Sequence, residues 1–185
     1  MTSFWTGERV RLRAIEPEDW TALRRFAEDE ERLGDVLHPP RSAEGHRARA
    51  QEQSGAAPDD DRFSLAVEDL GTGEMVGALG SHHADRRAGC FEYGVTIGAA
   101  HRRKGYAAEA VTLLLRFMFT EQRYHKCAAR VFASNEPSLT LHHRLGFTEE
   151  GRLREHVYLA GRHQDLVMMG LPAREFAVID TAGGG

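Results

Sequence analysis

The sequence lacks a long apolar run and any sign of a secretory leader. None of its hydrophobic segments approaches the roughly 20 apolar residues that a membrane-spanning helix needs, which argues against a helical membrane protein. The first residues contain neither a basic stretch nor an apolar core of the kind that a signal peptide requires. We therefore expect a cytoplasmic protein without a membrane partner.

Cysteine is also scarce. The only two cysteines, Cys90 and Cys127, lie in apolar, strand-like segments, and neither belongs to a CxxC motif. This pattern argues against a disulfide framework and is typical of buried free thiols in a reducing compartment. The ten histidines include the adjacent pairs 82–83 and 142–143, whose side chains should point to different faces of a strand or helix. We therefore predict no metal site.

Positive charge is not in excess, because 24 Lys and Arg stand against 28 Asp and Glu, giving a net charge of −4. A nucleic-acid-binding protein usually carries a basic surplus, so we expect no nucleic-acid partner. The length of 185 residues, with 41% hydrophobic and 28% charged residues, suits one globular domain. We predict a single domain over residues 1–185, with its core at 7–172 and a disordered tail at 181–185.

Hydrophobic periodicity predicts eleven elements in the order β-α-α-β-β-β-α-β-α-β-β. The predicted strands are 9–15, 63–68, 75–79, 89–97, 127–133, 149–159 and 164–171. The helices are predicted to begin at Pro17, to cover 42–53 and 107–120, and to end at Gly146 after a start at 134–138. The His- and Arg-rich segment 81–88 is predicted as a connection. This order predicts an α/β fold, with a mixed sheet and helices on both faces.

The most informative segment is Arg102–Ala107, here called the basic loop, which lies between a predicted strand and a predicted helix. Backbone N–H groups of such a loop and the N-terminus of the next helix converge on one point, where they bind phosphate. Gly105 allows close approach because it has no Cβ. A phosphate-bearing cofactor is therefore indicated. A general nucleotide-binding protein is a weaker alternative, since neither a Walker sequence nor a Rossmann glycine triplet is present.

Three motifs in this order resemble the GNAT superfamily of acyl-coenzyme A-dependent N-acyltransferases. Arg102-x-x-Gly105-x-Ala107 is similar to the family's pyrophosphate loop, and the segment 131–138, with its closing 145–147, is similar to its strand, Asn-x-x-Ser and Leu-Gly-Phe. The segment 161–165 is similar to a Gly-x-x-x-Asp of the terminal hairpin. The closest resemblance is to the branch of Rim-type ribosomal-protein alanine N-acetyltransferases and spermidine acetyltransferases, and it covers about residues 7–172.

The resemblance implies a central, mostly antiparallel sheet of six to seven strands and acetyl-coenzyme A as the cofactor. Backbone groups of the basic loop would hold the pyrophosphate; its residues are Arg102, Arg103, Lys104, Gly105, Tyr106 and Ala107. The pantetheine arm would lie along the strand that contains Val95, Thr96 and Ile97. A free N–H at a bulge, on Val95 or Thr96, would then polarise the thioester carbonyl.

The same resemblance implies catalytic roles for two residues. Glu92 is the candidate general base, acting through a water, although a strand-face carboxylate also commonly pairs with an arginine. Asn135 and Ser138 would contact the pantetheine, and Ser138 would lie near the departing sulfur, where many relatives have a tyrosine as general acid. Both residues also suit the capping of the helix that begins there.

The expected reaction is direct acetyl transfer to a primary amine, with a protein N-terminal α-amine as the first choice. A polyamine or antibiotic amine as acceptor and a succinyl donor are alternatives, as is a coenzyme A-binding sensor without turnover. Acidic residues at 59–61, Glu44 and Glu52 could attract a cationic acceptor or simply be solvated. A homodimer through the terminal strands is possible in this branch.

Overall fold

The predicted order of elements is present in the structure. The computed structural model describes residues 3–29, 39–55 and 61–176. Its strands are β1 (Val10–Ala14), β2 (Phe63–Asp69), β3 (Met75–Asp85), β4 (Cys90–Ile97), β5 (Lys126–Phe132), β6 (Thr148–Leu159) and β7 (Arg162–Pro172). Its helices are α1 (Trp20–Ala27), α2 (Ala43–Gly55), α3 (Tyr106–Thr120) and α4 (Glu136–Arg144), with 3-10 turns at Pro17–Asp19 and Ala99–His101.

The seven strands lie in the order β1-β2-β3-β4-β5-β7-β6 across one sheet. Neighbouring strands are antiparallel except for β4 and β5, which run parallel. A parallel pair needs a crossover connection, which α3 supplies between β4 and β5. The predicted α/β fold with a mixed, mostly antiparallel sheet is therefore confirmed.

Helix α3 forms the centre of the larger hydrophobic core. Its apolar residues recur at a spacing of three or four, and the buried ones are Ala110, Val111, Leu113, Leu114, Leu115, Met118 and Phe119. Each fully buried leucine contributes roughly 1.5–3 kcal/mol to stability. They pack against strand residues such as Val67, Phe91 and Val131, and Leu139 of α4 joins the same cluster. We call this side of the sheet the α3 face.

The opposite side of the sheet, here the α1 face, carries a smaller core. Ala66 follows the alternation of β2, so it points away from its neighbour Val67 and packs with Ala22 and Phe26 of α1. Helix α2 in turn packs on α1. The residues that lie opposite Ala66 across the sheet, Ala78 in β3 and then Thr96 in β4, therefore also point to the α1 face.

One predicted boundary, the end of β3, is wrong. The segment 81–88 was predicted as a connection, but β3 continues to Asp85 because its polar end pairs with β4. In this hairpin Ser81 lies opposite Tyr93, and His82 lies opposite Glu92. The alternating hydrophobic pattern fails there because the strand end is exposed on one side. The remaining elements differ from the predicted bounds by a few residues at their ends.

Some predictions lie outside the described residues, namely those on Asp59, Asp60 and the tail 181–185. The division into one domain stays a prediction. Both cysteines are free thiols; Cys127 is buried, as expected, whereas Cys90 is only half-buried. No helix in the described parts of the chain has the length and hydropathy to cross a membrane.

Candidate functional site

Strands β4 and β5 separate along the sheet and leave an opening between them. They pair only through Cys90, Phe91 and Glu92, which lie opposite residues 126–128. Beyond Glu92 the described part of β4 has no register partner in β5, while its other edge stays paired with β3 up to Ile97. The edge of β4 from Tyr93 to Ile97 therefore presents backbone groups to the opening.

The register shows which peptide groups face this opening. The N–H of Gly98 donates to the carbonyl of Val76 in β3 at 2.9 Å, and hydrogen-bonded positions alternate along an antiparallel pair. Thr96 therefore bonds to β3, whereas the peptide groups of Val95 point away from it, toward the opening. Ile97, two residues after Val95, has its peptide groups oriented in the same way, and its carbonyl accepts a hydrogen bond from Arg102 Nε at 3.4 Å.

The basic loop closes one end of the opening and has the backbone geometry of an anion-binding site. Arg103 and Gly105 adopt left-handed conformations, with φ of 62° and 86°, so successive N–H groups turn toward one side. Gly105 is also the N-cap of α3, whose first N–H groups have no partner within the helix. Arg103, Lys104 and Gly105 are exposed. These features fit a pyrophosphate.

Within the loop, the side chain of Arg102 serves a structural purpose. Its Nη2 forms an ion pair with Asp29, and its Nε bonds to the Ile97 carbonyl. The guanidinium thereby ties the loop to the end of β4 and to the segment after α1. Because the side chain is engaged in these contacts, the predicted contribution of Arg102 to an anion site would come from its backbone.

Two supports behind the loop were missed by sequence reasoning. Arg9 Nη1 donates to the carbonyl of Lys104 at 3.2 Å, and the hydroxyl of Tyr106 donates to Asp69 at 2.6 Å. The hydrogen bond from Tyr106 lowers the pKa of Asp69, and the same bond raises the pKa of Tyr106. Both contacts join residues far apart in the sequence, so local sequence patterns cannot predict them.

The start of α4 brings Asn135 and Ser138 together. Asn135 is the N-cap residue, and its Oδ1 accepts from the Ser138 N–H at 3.1 Å. Asn135 therefore has the capping role that the sequence allows, whereas Ser138 takes part in the cap through its backbone N–H. Because α4 follows β5, this helix start lies at the far side of the opening from β4.

A buried histidine bridges α4 and β4, and the sequence did not single it out. His142 Nδ1 lies 2.7 Å from the Ser138 carbonyl, which only accepts, so Nδ1 carries the proton. Its Nε2 then accepts from the hydroxyl of Tyr93 at 2.9 Å. Burial lowers the pKa of His142 and raises the pKa of Tyr93. This neutral pair spans the opening on the α3 face.

Glu92 lies on the α1 face at the point where the strands separate. Arg130 of β5 donates to both of its carboxylate oxygens, at 2.9 and 3.0 Å. The pairing that the sequence offered as the structural alternative for Glu92 is thus present, and its catalytic role stays a prediction. His82 and His83 also approach this carboxylate, with nitrogen–oxygen distances of 4.0 and 3.4 Å.

The expectation that His82 and His83 point to different faces is wrong. A bulge in β3 places His83 in a left-handed conformation, with φ of 48°, and the two rings meet edge to face with centroids 5.1 Å apart. Across the described segments, no group of three or more His, Cys, Asp or Glu residues has the geometry of a metal site.

The terminal hairpin positions Asp165 of the Gly-x-x-x-Asp motif. Ala160 and Gly161 form a two-residue turn with φ of 51° and 79°, which suits the twist of a hairpin. Asp165 Oδ1 then accepts from the backbone N–H of Glu155, a left-handed residue at a bulge in β6, at 2.9 Å. The motif therefore stabilises the hairpin beside the end of β5.

Comparisons with known proteins agree with this geometry. Residues 9–148 match the acetyltransferase (GNAT) domain family. The SPbeta prophage-derived N-acetyltransferase YokL of Bacillus subtilis is 37% identical over 174 residues, which is 94% of this chain and 96% of that protein. The putative ribosomal N-acetyltransferase YdaF of the same organism is 29% identical over 92% of this chain and 94% of its own length.

A solved structure shows the same fold. A GNAT-family acetyltransferase from Bacillus anthracis superimposes with a TM-score of 0.80 over 92% of this chain and 99% of its own. Its sequence identity is 22%, so this likeness concerns the fold alone.

Proposed function

The chain belongs to the GNAT family of N-acetyltransferases, and we propose that it transfers an acetyl group from acetyl-coenzyme A directly to a primary amine. The observation that carries the proposal is the coincidence of two features at one place. The unpaired edge of β4 and the anion-binding geometry of the basic loop face the same opening in the sheet. The edge of β4 is suited to hold the extended amide chain of the pantetheine arm, and the basic loop is suited to hold the pyrophosphate.

The residues of the opening divide the work of holding the cofactor. The backbone of residues 102–107 binds the phosphates, and the peptide groups of Val95 and Ile97 line the pantetheine arm, with Thr96 keeping the strand in the sheet. Acetyl-coenzyme A supplies a thioester, whose carbonyl carbon the amine attacks. The N–H of Val95 points into the opening and donates to the oxygen that becomes negative during the attack.

On the far side of the opening, Asn135 and Ser138 form the sulfur end of the site. The cap between them fixes the first turn of α4, and the hydroxyl of Ser138 donates a hydrogen bond to the thiolate as it leaves. The bridge from His142 to Tyr93 holds this turn against β4. Glu92, on the α1 face of β4, attracts the cationic acceptor and takes part in the removal of its proton, the role that the resemblance implies.

A protein N-terminal α-amine is the proposed acceptor in preference to a polyamine. The resemblance to a putative ribosomal N-acetyltransferase supports this choice. The acidic residues expected to attract a polycation are also partly neutralised, since Glu44 pairs with Arg47 at 3.5 Å and Asp61 pairs with Arg86. A homodimer through β6 and β7 stays a prediction; β6 lies at an edge of the sheet with Tyr158 exposed.

The test follows release of free thiol from acetyl-coenzyme A in the presence of an alanine-starting peptide, spermidine or an aminoglycoside. We expect release that depends on the peptide and that falls at least about 100-fold in Glu92→Gln, with little change in coenzyme A affinity. Binding of coenzyme A without release for any amine would contradict acetyl transfer, and release with succinyl-coenzyme A instead would reassign the donor.

A further inference from the structure

Beside Glu92, on the α1 face, lies a second group able to take a proton. His82 occupies the register position opposite Glu92, so both side chains point to the same face of neighbouring strands. Its Nε2 lies 4.0 Å from Glu92 Oε2, and 46% of its side chain is exposed. The sequence placed this residue in a connection and gave it no role.

The ring of His82 lies against Gly94 of the neighbouring strand β4. Its Cε1 lies 3.5 Å from the point where a Cβ on Gly94 would be, and Gly94 is the residue directly before Val95. Gly94 has no side chain to displace the ring from this place. The imidazole therefore lies beside the Glu92 carboxylate and over Gly94, one residue before Val95.

Glu92 itself is a poor proton acceptor, because Arg130 donates hydrogen bonds to both of its carboxylate oxygens. A carboxylate held in this bidentate manner is stabilised as an anion. An anion 4 Å from His82 stabilises an imidazolium once that ring has been protonated. Glu92 is better placed to hold the charged ring than to carry the proton.

The charged and titratable groups described around His82 are Glu92 on β4, Arg130 on β5 and His83 on its own strand. Burial, followed by the charge of His83, lowers the pKa of His82, and Arg130 acts in the same direction; Glu92 opposes them. The net result is a pKa below the ordinary 6.5 of histidine. The ring is therefore neutral near pH 7 and has a free lone pair.

We propose, on the premise of the acetyl transfer argued above, that His82 accepts the proton of the acceptor ammonium and passes it to solvent. The N–H bond of the ammonium breaks, its electron pair stays on the nitrogen that attacks the thioester carbonyl, and a new N–H bond forms on the imidazole. Glu92, fixed by Arg130, stabilises the imidazolium, and the exposed edge of the ring releases the proton to water.

His83 provides a matched control, since it is the adjacent histidine in the same cluster. Its Nδ1 accepts from Arg130 Nη2 at 2.7 Å, so this lone pair is in use, and its side chain is 61% exposed. Replacement of His83 removes an imidazole from the same place without removing the proposed proton acceptor.

The experiment measures kcat/KM against pH for the wild type, His82→Gln and His83→Gln, with thiol release from acetyl-coenzyme A and the best amine of the panel. We expect His82→Gln to lose at least about 100-fold in kcat and to lose the acidic limb of the profile, while His83→Gln stays within about threefold. Coenzyme A affinity checks that both variants are folded. Added imidazole should partly rescue His82→Ala, whose site is open to solvent.

Three results would overturn the assignment. If His82→Gln keeps the wild-type rate and its acidic limb, the proton acceptor is another group. If His82→Gln and His83→Gln lose activity equally, the histidines act only through packing. If the wild type releases no thiol with any amine, the proposed function is wrong, and the role of His82, which depends on it, is wrong as well.

Discussion

Gly105 is the residue on which the shape of the basic loop depends most directly. Its φ of 86° lies in the left-handed region, where a residue with a Cβ is strained. A Cβ there would also lie 2.5 Å from Arg9 Nη1, the group that holds the Lys104 carbonyl from behind. The sequence predicted a role for glycine here because a phosphate would approach the backbone closely. The structure adds two other reasons, the left-handed backbone angle and the contact with Arg9.

We expect Gly105→Ala to lower the free energy of unfolding by about 1 kcal/mol and to weaken coenzyme A binding as well. Gly73→Ala is the matched control, because Gly73 has a similar φ of 72° and open space around it, in the turn between β2 and β3. Denaturant unfolding and calorimetric titration with coenzyme A measure the two effects. Equal affinity in both variants would show that the loop tolerates the change.

Tyr93→Phe should destabilise the protein by about 1–3 kcal/mol, because it leaves His142 Nε2 buried without a donor. The control is Tyr158→Phe on β6, where the side chain is 63% exposed and little change is expected. Urea unfolding at neutral pH measures both variants. A Tyr93→Phe variant as stable as the wild type would mean that water replaces the hydroxyl.

At the scale of elements, the separation of β4 and β5 organises the site. The other edge of each strand is hydrogen-bonded, β4 to β3 and β5 to β7. Both strands therefore stay in the sheet although they do not pair with each other beyond Glu92. Backbone groups along the opening are left for a ligand without loss of the sheet. Periodicity predicts that these strands exist, but it does not say where two of them stop pairing.

This geometry predicts opposite outcomes for proline at two adjacent positions of β4. Thr96→Pro removes an N–H that bonds to β3 and should destabilise the fold, whereas Val95→Pro removes an N–H that faces the opening. We expect Val95→Pro to stay folded and to lose about 100- to 1000-fold in kcat, through loss of a donor to the developing oxyanion.

Circular dichroism and thermal melting check the fold of both proline variants, and thiol release measures the rate. The reverse pattern, with Thr96→Pro folded but inactive, would place the oxyanion donor at Thr96. Loss of folding in both variants would contradict the inference that the Val95 N–H is free of β3.

At the scale of the whole molecule, arginine replaces lysine almost throughout, and bidentate pairs join distant elements. Arg13 of β1 binds Asp19 at 2.8 and 2.9 Å and also binds Glu68 of β2. Burial, the largest single cause, would raise the pKa of both carboxyls. Arg13, together with the Glu16 N–H at Asp19 and with Arg11 at Glu68, outweighs it and holds the pKa of each carboxyl below its ordinary value. A planar guanidinium is suited to such double contacts.

These lowered pKa values predict acid instability. A carboxyl whose pKa is lower in the folded state contributes stability above its unfolded pKa, 4.5 for glutamate and 3.8 for aspartate, and this contribution is lost as the pH falls through its folded pKa. We expect the free energy of unfolding to fall from about pH 5 downward and the fall to be shallower in Glu68→Gln.

The exposed glutamate Glu74, in the turn between β2 and β3, supplies the control, and Glu74→Gln should follow the wild-type curve. Urea titrations at a series of pH values measure the slopes. An unchanged slope in Glu68→Gln would assign the acid sensitivity to other carboxyls.

The sequence by itself determined the order of elements, the family and the basic loop, because these depend on local periodicity, caps and short motifs. Asn135 and Ser138 fall in the same class, since a helix cap is read within four residues. Glu92 was located correctly on its strand, but its partner was not, since Arg130 lies on another strand 38 positions away.

Only the tertiary structure decided where β4 leaves β5, which peptide groups face the opening, and which side chains gather around Glu92. In the folded chain His142 accepts a hydrogen bond from Tyr93. A bulge in β3, which no sequence pattern predicts, places the rings of His82 and His83 in contact. The physical reason is that these contacts join residues far apart in the chain or depend on one backbone angle. Local propensity fixes neither, whereas the packed sheet fixes both.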